Sequence, residues 1–493
     1  MNRGPAAPGS RLRSRPVAVR NLGWMGTARV LQSLLALGAN FYLARVLGPE
    51  GFGVLGLAAA LVSCFAILAT LGVPVLATRE TARAWDRRQQ VAGDMAASLL
   101  VLGVVAYGCL VALLLVAHLS PLETAVSAIS GLQLVAGPRT FLWAFSAAER
   151  MLVPALANLA GTLLRVGLVF GLVHAHGAVR LVAWTAVAGG AATAAGELAV
   201  YAGIYGLNWR FGPGTLWRIV RASAPLAISS MMTRVYTSLD TVILGYLSNA
   251  AAVGEFTAAR KMFWLLIGFL DIYAQVLLPT VVRMRTTLPG GLSGLSGKGI
   301  NLLVAILLPM AVGGTCLAQP LMLALFGPAY RPAGPVFVAM IWAAAASGVG
   351  VHFGTIVTAL DGESSLAWAT GWGALLDVAG NIWLVPHFGA PAAAWVTAAA
   401  EALVAVCAVW KVGRQFPLGP GLVLTPVMLS TVGMAAGLWM LRGQVSVWES
   451  LAAGIVIYGG LWMLWPQNRR MIPVLPGRKW GWVPAHRNGR ERL

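Results

Sequence analysis

Residues 51–73, GFGVLGLAAALVSCFAILATLGV, form a run of 23 residues without a charged side chain. A helix rises 1.5 Å per residue, so about twenty such residues cross the roughly 30 Å hydrocarbon core of a bilayer. Similar runs, separated by short polar breaks, occur along nearly the whole chain. The sequence therefore predicts an all-α integral membrane protein with about 14 transmembrane helices, at 22–46, 51–73, 94–117, 124–146, 152–173, 181–206, 222–247, 255–279, 300–320, 334–360, 366–386, 390–410, 421–441 and 448–466.

The basic residues are distributed unequally between the polar breaks. With the N-terminus placed inside, 25 of the 35 Lys and Arg residues fall in inside segments, 6 lie at outside ends, and 4 fall within apolar runs. The positive-inside rule then places both termini in the cytoplasm, which predicts a multi-pass protein of the bacterial inner membrane. The net charge of +19 is explained by topology and by contacts with anionic lipids at the cytoplasmic face. Nucleic acid is therefore not an expected partner.

This topology predicts the behaviour of reporter fusions. A reporter that is active only in the periplasm should be silent when fused after residue 415 and active when fused after residue 444. The reason is that span 13 should cross the membrane outward between these two positions. Reversed activities at the two positions would contradict the predicted topology.

A weak internal repeat indicates two related halves. Residues 40–53, NFYLARVLGPEGFG, join the first two spans, and residues 240–254, DTVILGYLSNAAAVG, join spans seven and eight in a similar way. Two like lobes around a central cleft are a common plan in transporters. We predict two pseudo-symmetric six-helix lobes followed by a helix pair, with boundaries at 1–21 (basic tail), 22–206 (N-lobe), 207–410 (C-lobe), 411–466 (spans 13 and 14) and 467–493 (basic tail).

The residue types required for catalysis do not form a recognisable pattern in this sequence. The four cysteines lie singly within apolar spans, without the spacing of metal ligands. A Ser-His-Asp triad, a Gly-rich phosphate loop and a paired-carboxylate site are absent from the polar segments. We therefore expect a protein that is not an enzyme and that needs no cofactor and no metal.

Short motifs follow one another along the chain: RVLGPEGFG (45–53), LGVP (71–74), TRE (78–80), LDTVILG (239–245), VGEFTAARK (253–261) and LFGPAY (325–330). This ordered series resembles the polysaccharide and O-antigen flippases of the multidrug/oligosaccharidyl-lipid/polysaccharide exporter superfamily. The resemblance covers about residues 20–465. It implies a V-shaped bundle that moves undecaprenyl-diphosphate-linked sugars from the cytoplasmic to the periplasmic leaflet. It also implies lipid-linked oligosaccharide as the substrate and glycan polymerase and chain-length proteins as partners.

Four arginines lie inside apolar runs, where each costs roughly 2.5–3.5 kcal/mol on insertion scales. Such residues should face a partner or a water-filled cavity. A diphosphate is a suitable partner, because planar guanidinium groups bind its oxygens with paired hydrogen bonds. The alternative is a structural ion pair with an acid on a neighbouring helix. The candidate cavity residues are Arg29, Arg139, Arg165 and Arg234.

Further charges lie near or within the spans. Arg260 and Lys261 lie near the predicted outer end of span eight, which suggests the periplasmic mouth of the cleft. Asp240, Asp271 and Asp377 lie within predicted spans, and the last two are flanked by apolar residues on both sides. An acid in such a position is either an ion-pair partner or a site that couples transport to protons or Na⁺.

Two other classes of protein are alternatives to a flippase. A cation-coupled exporter of small molecules would favour an acidic, aromatic cavity, whereas the charges within the spans include several Arg. A membrane enzyme of glycan assembly normally needs a large periplasmic loop, and the longest outside break is only about a dozen residues.

Overall fold

The computed structural model describes residues 15–136, 140–175, 177–208, 212–287, 291–415 and 424–465. Within these ranges, only the backbone is described for residues 15–29, 226–237 and 424. The described chain is helical throughout and contains no strand. The helices are α1 Arg15–Thr70, α2 Val73–Arg83, α3 Arg88–Val116, α4 Pro121–Ala136, α5 Leu142–Ala147, α6 Leu152–Leu172, α7 Val179–Tyr205, α8 Pro213–Leu247, α9 Ala250–Thr287, α10 Leu292–Cys316, α11 Ala318–Phe326, α12 Ala333–Ala359, α13 Glu363–Gly413, α14 Leu424–Met440 and α15 Val447–Met463.

Two of these helices each contain two predicted spans. In α1 the backbone of Gly48 has φ +68° and ψ 178°, and Pro49 follows it. In α13 the backbone of Gly389 has φ +61° and ψ −143°, between Pro386 and Pro391. Glycine adopts this positive φ without a Cβ clash, and proline cannot donate the hydrogen bond that would continue the helix. Each glycine therefore marks a tight turn between two antiparallel spans.

With these turns counted, a described helix coincides with each of the 14 predicted spans. By length and composition, 8 helical segments of the described chain could cross a membrane, including the long double segments Val30–Arg83 and Glu363–Gly413. The predicted fold class, all-α and membrane-integral, is confirmed. Span four is divided in the structure: it was predicted to reach residue 146, whereas α4 ends at Ala136 and α5 is a separate short helix.

Helix α1 lies at the centre of the bundle. It packs against α3, α4 and α6 of the first half of the chain and against α8 and α9 of the second half. Helices α12 and α13 form the centre of the second half, and α14 packs along α10 and α15. The lobe boundaries at residues 206 and 410 stay predictions.

Candidate functional site

The predicted outer ends of the two halves meet at two glycines. A Cβ built on Gly53 would clash with the carbonyl oxygen of Ala250, and a Cβ built on Gly254 would clash with the carbonyl oxygen of Pro49. The absence of a side chain at each glycine therefore allows the start of α9 to touch the turn within α1. These two glycines end the two repeated motifs, 40–53 and 240–254, so corresponding positions of the repeat form the contact. We call this contact the outer seal.

Side chains beside the outer seal also join the two halves. Arg45 donates from Nε to the carbonyl oxygen of Leu325 at 3.1 Å and from Nη2 to the carbonyl oxygen of Ala324. The rings of Phe41 and Phe326 pack edge to face, with centroids 5.1 Å apart. Both contacts connect α1 to α11 at the predicted outer end of the bundle.

Behind the outer seal lies a cavity of about 750 Å³ between the two halves of the chain. Its walls come from α1, α4, α6 and α7 on one side and from α8 and α9 on the other. We call it the central cavity. Its charged and polar lining residues are Arg165, Arg260, Lys261, Asn40, Ser63, Ser130, Gln133, Ser238, Thr241 and Thr257.

The three cations of the central cavity differ in their partners. Arg260 donates to Oδ1 of buried Asp240 at 2.5 Å and to Oγ1 of Thr241 at 2.6 Å. Arg165 and Lys261 have no carboxylate oxygen within 4 Å among the described residues. Both are half-buried, and Lys261 lies within electrostatic range of Arg165 and Arg260. The central cavity therefore presents two cations to an anionic ligand.

Arg260 and Lys261 were predicted at the periplasmic mouth, and that placement stays a prediction. Helix α9 begins at Ala250, five residues before the predicted span. Lys261 lies eleven residues into the helix, about 16 Å from its start at 1.5 Å per residue. Both cations line the central cavity together with Arg165.

Next to this cavity, the second half of the chain contains a buried group of acids. Asp377 on α13 lies within electrostatic range of Asp240, Arg260 and Glu401. Asp377 is buried, and its Oδ2 has no hydrogen-bond partner among the described residues. The same holds for Oδ1 of Asn381, one helical turn further on. Glu401 accepts a hydrogen bond from Ser347 at 2.5 Å. The structure therefore brings two of the three predicted acids together with the Arg260 guanidinium.

The remaining predicted residues lie elsewhere. Asp271 is exposed on α9 and does not line the central cavity. For Arg29 on α1 and Arg234 on α8, the structure describes the backbone but not the side chain. Arg139 lies outside the described residues. Their assignment to the cavity stays a prediction.

Sequence reasoning missed the uncharged part of the lining. Ser130 and Gln133 are three residues apart on α4, which places them on one helical face. Ser63 accepts a hydrogen bond at 3.0 Å from Ser238, which connects α1 to α8 across the two halves. Isolated polar residues in apolar runs were the available signal, but single hydroxyls are common in helix packing and do not identify a cavity.

A smaller cavity of about 440 Å³ adjoins the central one. The two share Val62, Ala66 and Gln133, and the smaller one continues to Thr78 of α2 and Ser146 of α5. These two residues lie toward the end of the bundle opposite the outer seal. The interior cavity therefore continues toward the predicted cytoplasmic side.

Comparison with known families agrees with this architecture. A sequence model described as "Polysaccharide biosynthesis protein" matches residues 18–285, which is more than half of the chain. The chain belongs to this family. Its long apolar helices show a multi-pass membrane protein.

One curated relative of this polysaccharide biosynthesis protein is the "Putative O-antigen transporter" of Escherichia coli (strain K12). It is 27% identical over 277 residues, which cover 53% of this chain and 64% of that protein, slightly less than two thirds of its length.

Two solved structures show the same fold at low sequence identity. The lipid II flippase MurJ in an inward closed conformation has a TM-score of 0.75 at 12% identity, covering 90% of this chain and 99% of that one. An inward-facing multidrug resistance MATE family transporter of the MOP superfamily has a TM-score of 0.60 at 15% identity, covering 78% and 94%. The family member described here thus has the fold of the MOP superfamily, as the resemblance implied.

Proposed function

We propose that this protein is a flippase that moves undecaprenyl-diphosphate-linked oligosaccharide, an O-antigen or exopolysaccharide repeat unit, from the cytoplasmic to the periplasmic leaflet of the inner membrane. The observation that carries the proposal is the central cavity, in which Arg165 and Lys261 lie without a carboxylate partner among the described residues. Unpaired cations inside a membrane protein are costly, and a polyanionic ligand offsets that cost.

The central cavity suits the three chemical parts of such a substrate. Arg165 and Lys261 provide charge-assisted hydrogen bonds to diphosphate oxygens. Asn40, Ser130 and Gln133 offer amide and hydroxyl groups to sugar hydroxyls. The prenyl chain stays in the hydrocarbon of the bilayer, so only the polar parts need the cavity.

The outer seal supports an alternating-access mechanism. Gly53 and Gly254 each contact the opposite backbone at the predicted outer end of the central cavity. The adjoining cavity continues toward the cytoplasmic side, where the substrate would load. Release to the periplasm then requires that the turn within α1 and the start of α9 separate.

The buried acids have two candidate roles, a structural ion pair and a coupling site. The Asp240–Arg260 pair holds α8 against α9 as a structural ion pair. Asp377 and Asn381 leave two buried oxygens without partners among the described residues, which suits a coupling site for a proton or a small cation. The cation-coupled exporter remains the alternative function, but cations, not acids, are the unpaired charges of the central cavity.

Deletion of the gene tests the proposed function. Lipid-linked glycan should accumulate on the cytoplasmic leaflet, while glycosyltransferase activity persists, because assembly does not need this protein. Leaflet location can be measured by the access of a lectin or glycosidase to right-side-out and inverted vesicles. If deletion membranes fail to assemble the lipid-linked sugar, the protein belongs to the biosynthetic step and the flippase proposal is wrong.

A further inference from the structure

A separate pocket of about 790 Å³ lies between the second half of the chain and the C-terminal helix pair. Its walls come from the end of α10, from α11, from the start of α12, and from the connection between α14 and α15. It also contacts Trp395 of α13. All of these segments lie at the end of the bundle that the positive-inside rule assigns to the periplasm. We call it the lateral pocket.

Two exposed arginines give the lateral pocket its charge. Arg331 follows α11, and Arg442 follows α14. Neither has a carboxylate oxygen within 4 Å among the described residues. The closest acid in sequence to Arg442 is Glu449, whose carboxylate accepts a hydrogen bond from the Ser446 main-chain nitrogen at 2.7 Å. The lateral pocket is therefore cationic.

The rest of the lateral pocket is apolar and reaches the outer surface of the bundle. Leu317 and Leu438 are buried in its wall, where they form one hydrophobic cluster. Trp395 and Trp439 are 51% and 74% exposed at its edge. Tryptophan is enriched at the level of the lipid headgroups, so these rings indicate that the pocket opens at the outer membrane–water interface. A cationic head region beside an apolar wall at this depth is complementary to an anionic amphiphile.

We propose that the lateral pocket binds an anionic phospholipid of the outer leaflet. Arg331 and Arg442 bind the phosphate oxygens, for which the guanidinium geometry is well suited. An acyl chain lies against Leu317 and Leu438 where their side chains line the pocket. The bound lipid then joins the helix pair to the second half of the chain. This site is distinct from the central cavity, and the proposal does not depend on the transported substrate.

Lipid titration of the purified full-length protein, followed by native mass spectrometry, tests this proposal. Phosphatidylglycerol should bind the Arg331→Ala, Arg442→Ala double variant about tenfold more weakly than the wild type, equivalent to about 1.4 kcal/mol. The matched control is Arg180→Ala, because Arg180 is also exposed at an outer helix end but lies outside the lateral pocket. Its phosphatidylglycerol affinity should equal that of the wild type.

Several results would overturn the proposal. They are unchanged phosphatidylglycerol binding in the double variant, equally tight binding of phosphatidylcholine, tighter binding of undecaprenyl phosphate, or competition by inorganic phosphate at the same concentration. Tighter binding of undecaprenyl phosphate would assign the pocket to a polyprenyl lipid. Competition by inorganic phosphate would show that the apolar wall contributes nothing to binding.

Cys316 provides a second measurement that keeps both arginines. It is exposed and lines the lateral pocket. In a variant with Cys64, Cys109 and Cys407 replaced by Ser, phosphatidylglycerol should slow the reaction of Cys316 with a maleimide several-fold, whereas phosphatidylcholine should not. Equal rates with the two lipids would overturn the proposal even if the arginine variants fail to fold.

Discussion

The Arg165→Ala, Lys261→Ala double variant should lose surface glycan almost completely while its membrane level stays near that of the wild type. Both side chains line the central cavity without a carboxylate partner among the described residues, so their removal relieves a burial cost and breaks no ion pair. Each lost hydrogen bond to a charged ligand costs about 1.5–3 kcal/mol, or roughly ten- to a hundredfold in binding. A glycan stain beside a quantitative blot measures both quantities.

Three further variants separate ligand binding from structure. Arg165→Lys should restore glycan only in part, because an ammonium keeps the charge but loses the planar fork. Arg180→Ala, outside the central cavity, should behave as the wild type. Arg260→Ala should instead lower the protein level, because it leaves buried Asp240 without its guanidinium, and breaking a buried pair costs about 3–5 kcal/mol. Normal surface glycan in the Arg165→Ala, Lys261→Ala variant would refute the assigned role of the cavity.

The Gly254→Ala substitution should abolish transport by preventing closure of the outer seal. Its new methyl group would overlap the backbone of Pro49, and backbone atoms cannot move aside as a flexible side chain can. We therefore expect loss of surface glycan and an opened outer end. A cysteine placed at Ser63, in the lining of the central cavity, should then react faster with a membrane-impermeant maleimide added from outside.

Matched glycines on the same helices control for the substitution itself. A Cβ on Gly268 of α9 or on Gly38 of α1 would meet no atom within 4 Å. Gly268→Ala and Gly38→Ala should therefore leave both glycan and maleimide reactivity unchanged. Wild-type glycan in Gly254→Ala, with the cysteine still protected, would show that the seal tolerates the added volume and that our interpretation is wrong.

The helical fold could be predicted because its determinants are local. A span is set by the length of an apolar run, and the two turns within α1 and α13 each combine a glycine with a nearby proline. Arg165 was identified because a charge in an apolar run is conspicuous. The association of Lys261 with Arg165 was not, because it depends on how α6 and α9 face the same cavity.

Contacts between helices could not be predicted from single residues. Asp240 and Arg260 are 20 positions apart on different helices, so their pairing depends on how α8 meets α9. The repeat placed Gly53 and Gly254 at corresponding positions, but only the packed halves bring them into contact. The lateral pocket likewise depends on the docking of α14 along α10, for which the sequence offered no signal beyond two apolar runs.

The position of the cavity cations has an electrical consequence. Arg165 and Lys261 are fixed to helices, so they do not accompany a departing ligand. A diphosphate-linked cargo would therefore carry about two negative charges outward through the membrane field. In a cell with a negative interior, this movement releases about 2.3 kcal/mol per charge for each 100 mV, or roughly 4–5 kcal/mol per molecule. The resting voltage alone would then drive export. Collapse of this voltage by an ionophore would slow transport even where the ion gradients that the buried acids could sense stay the same.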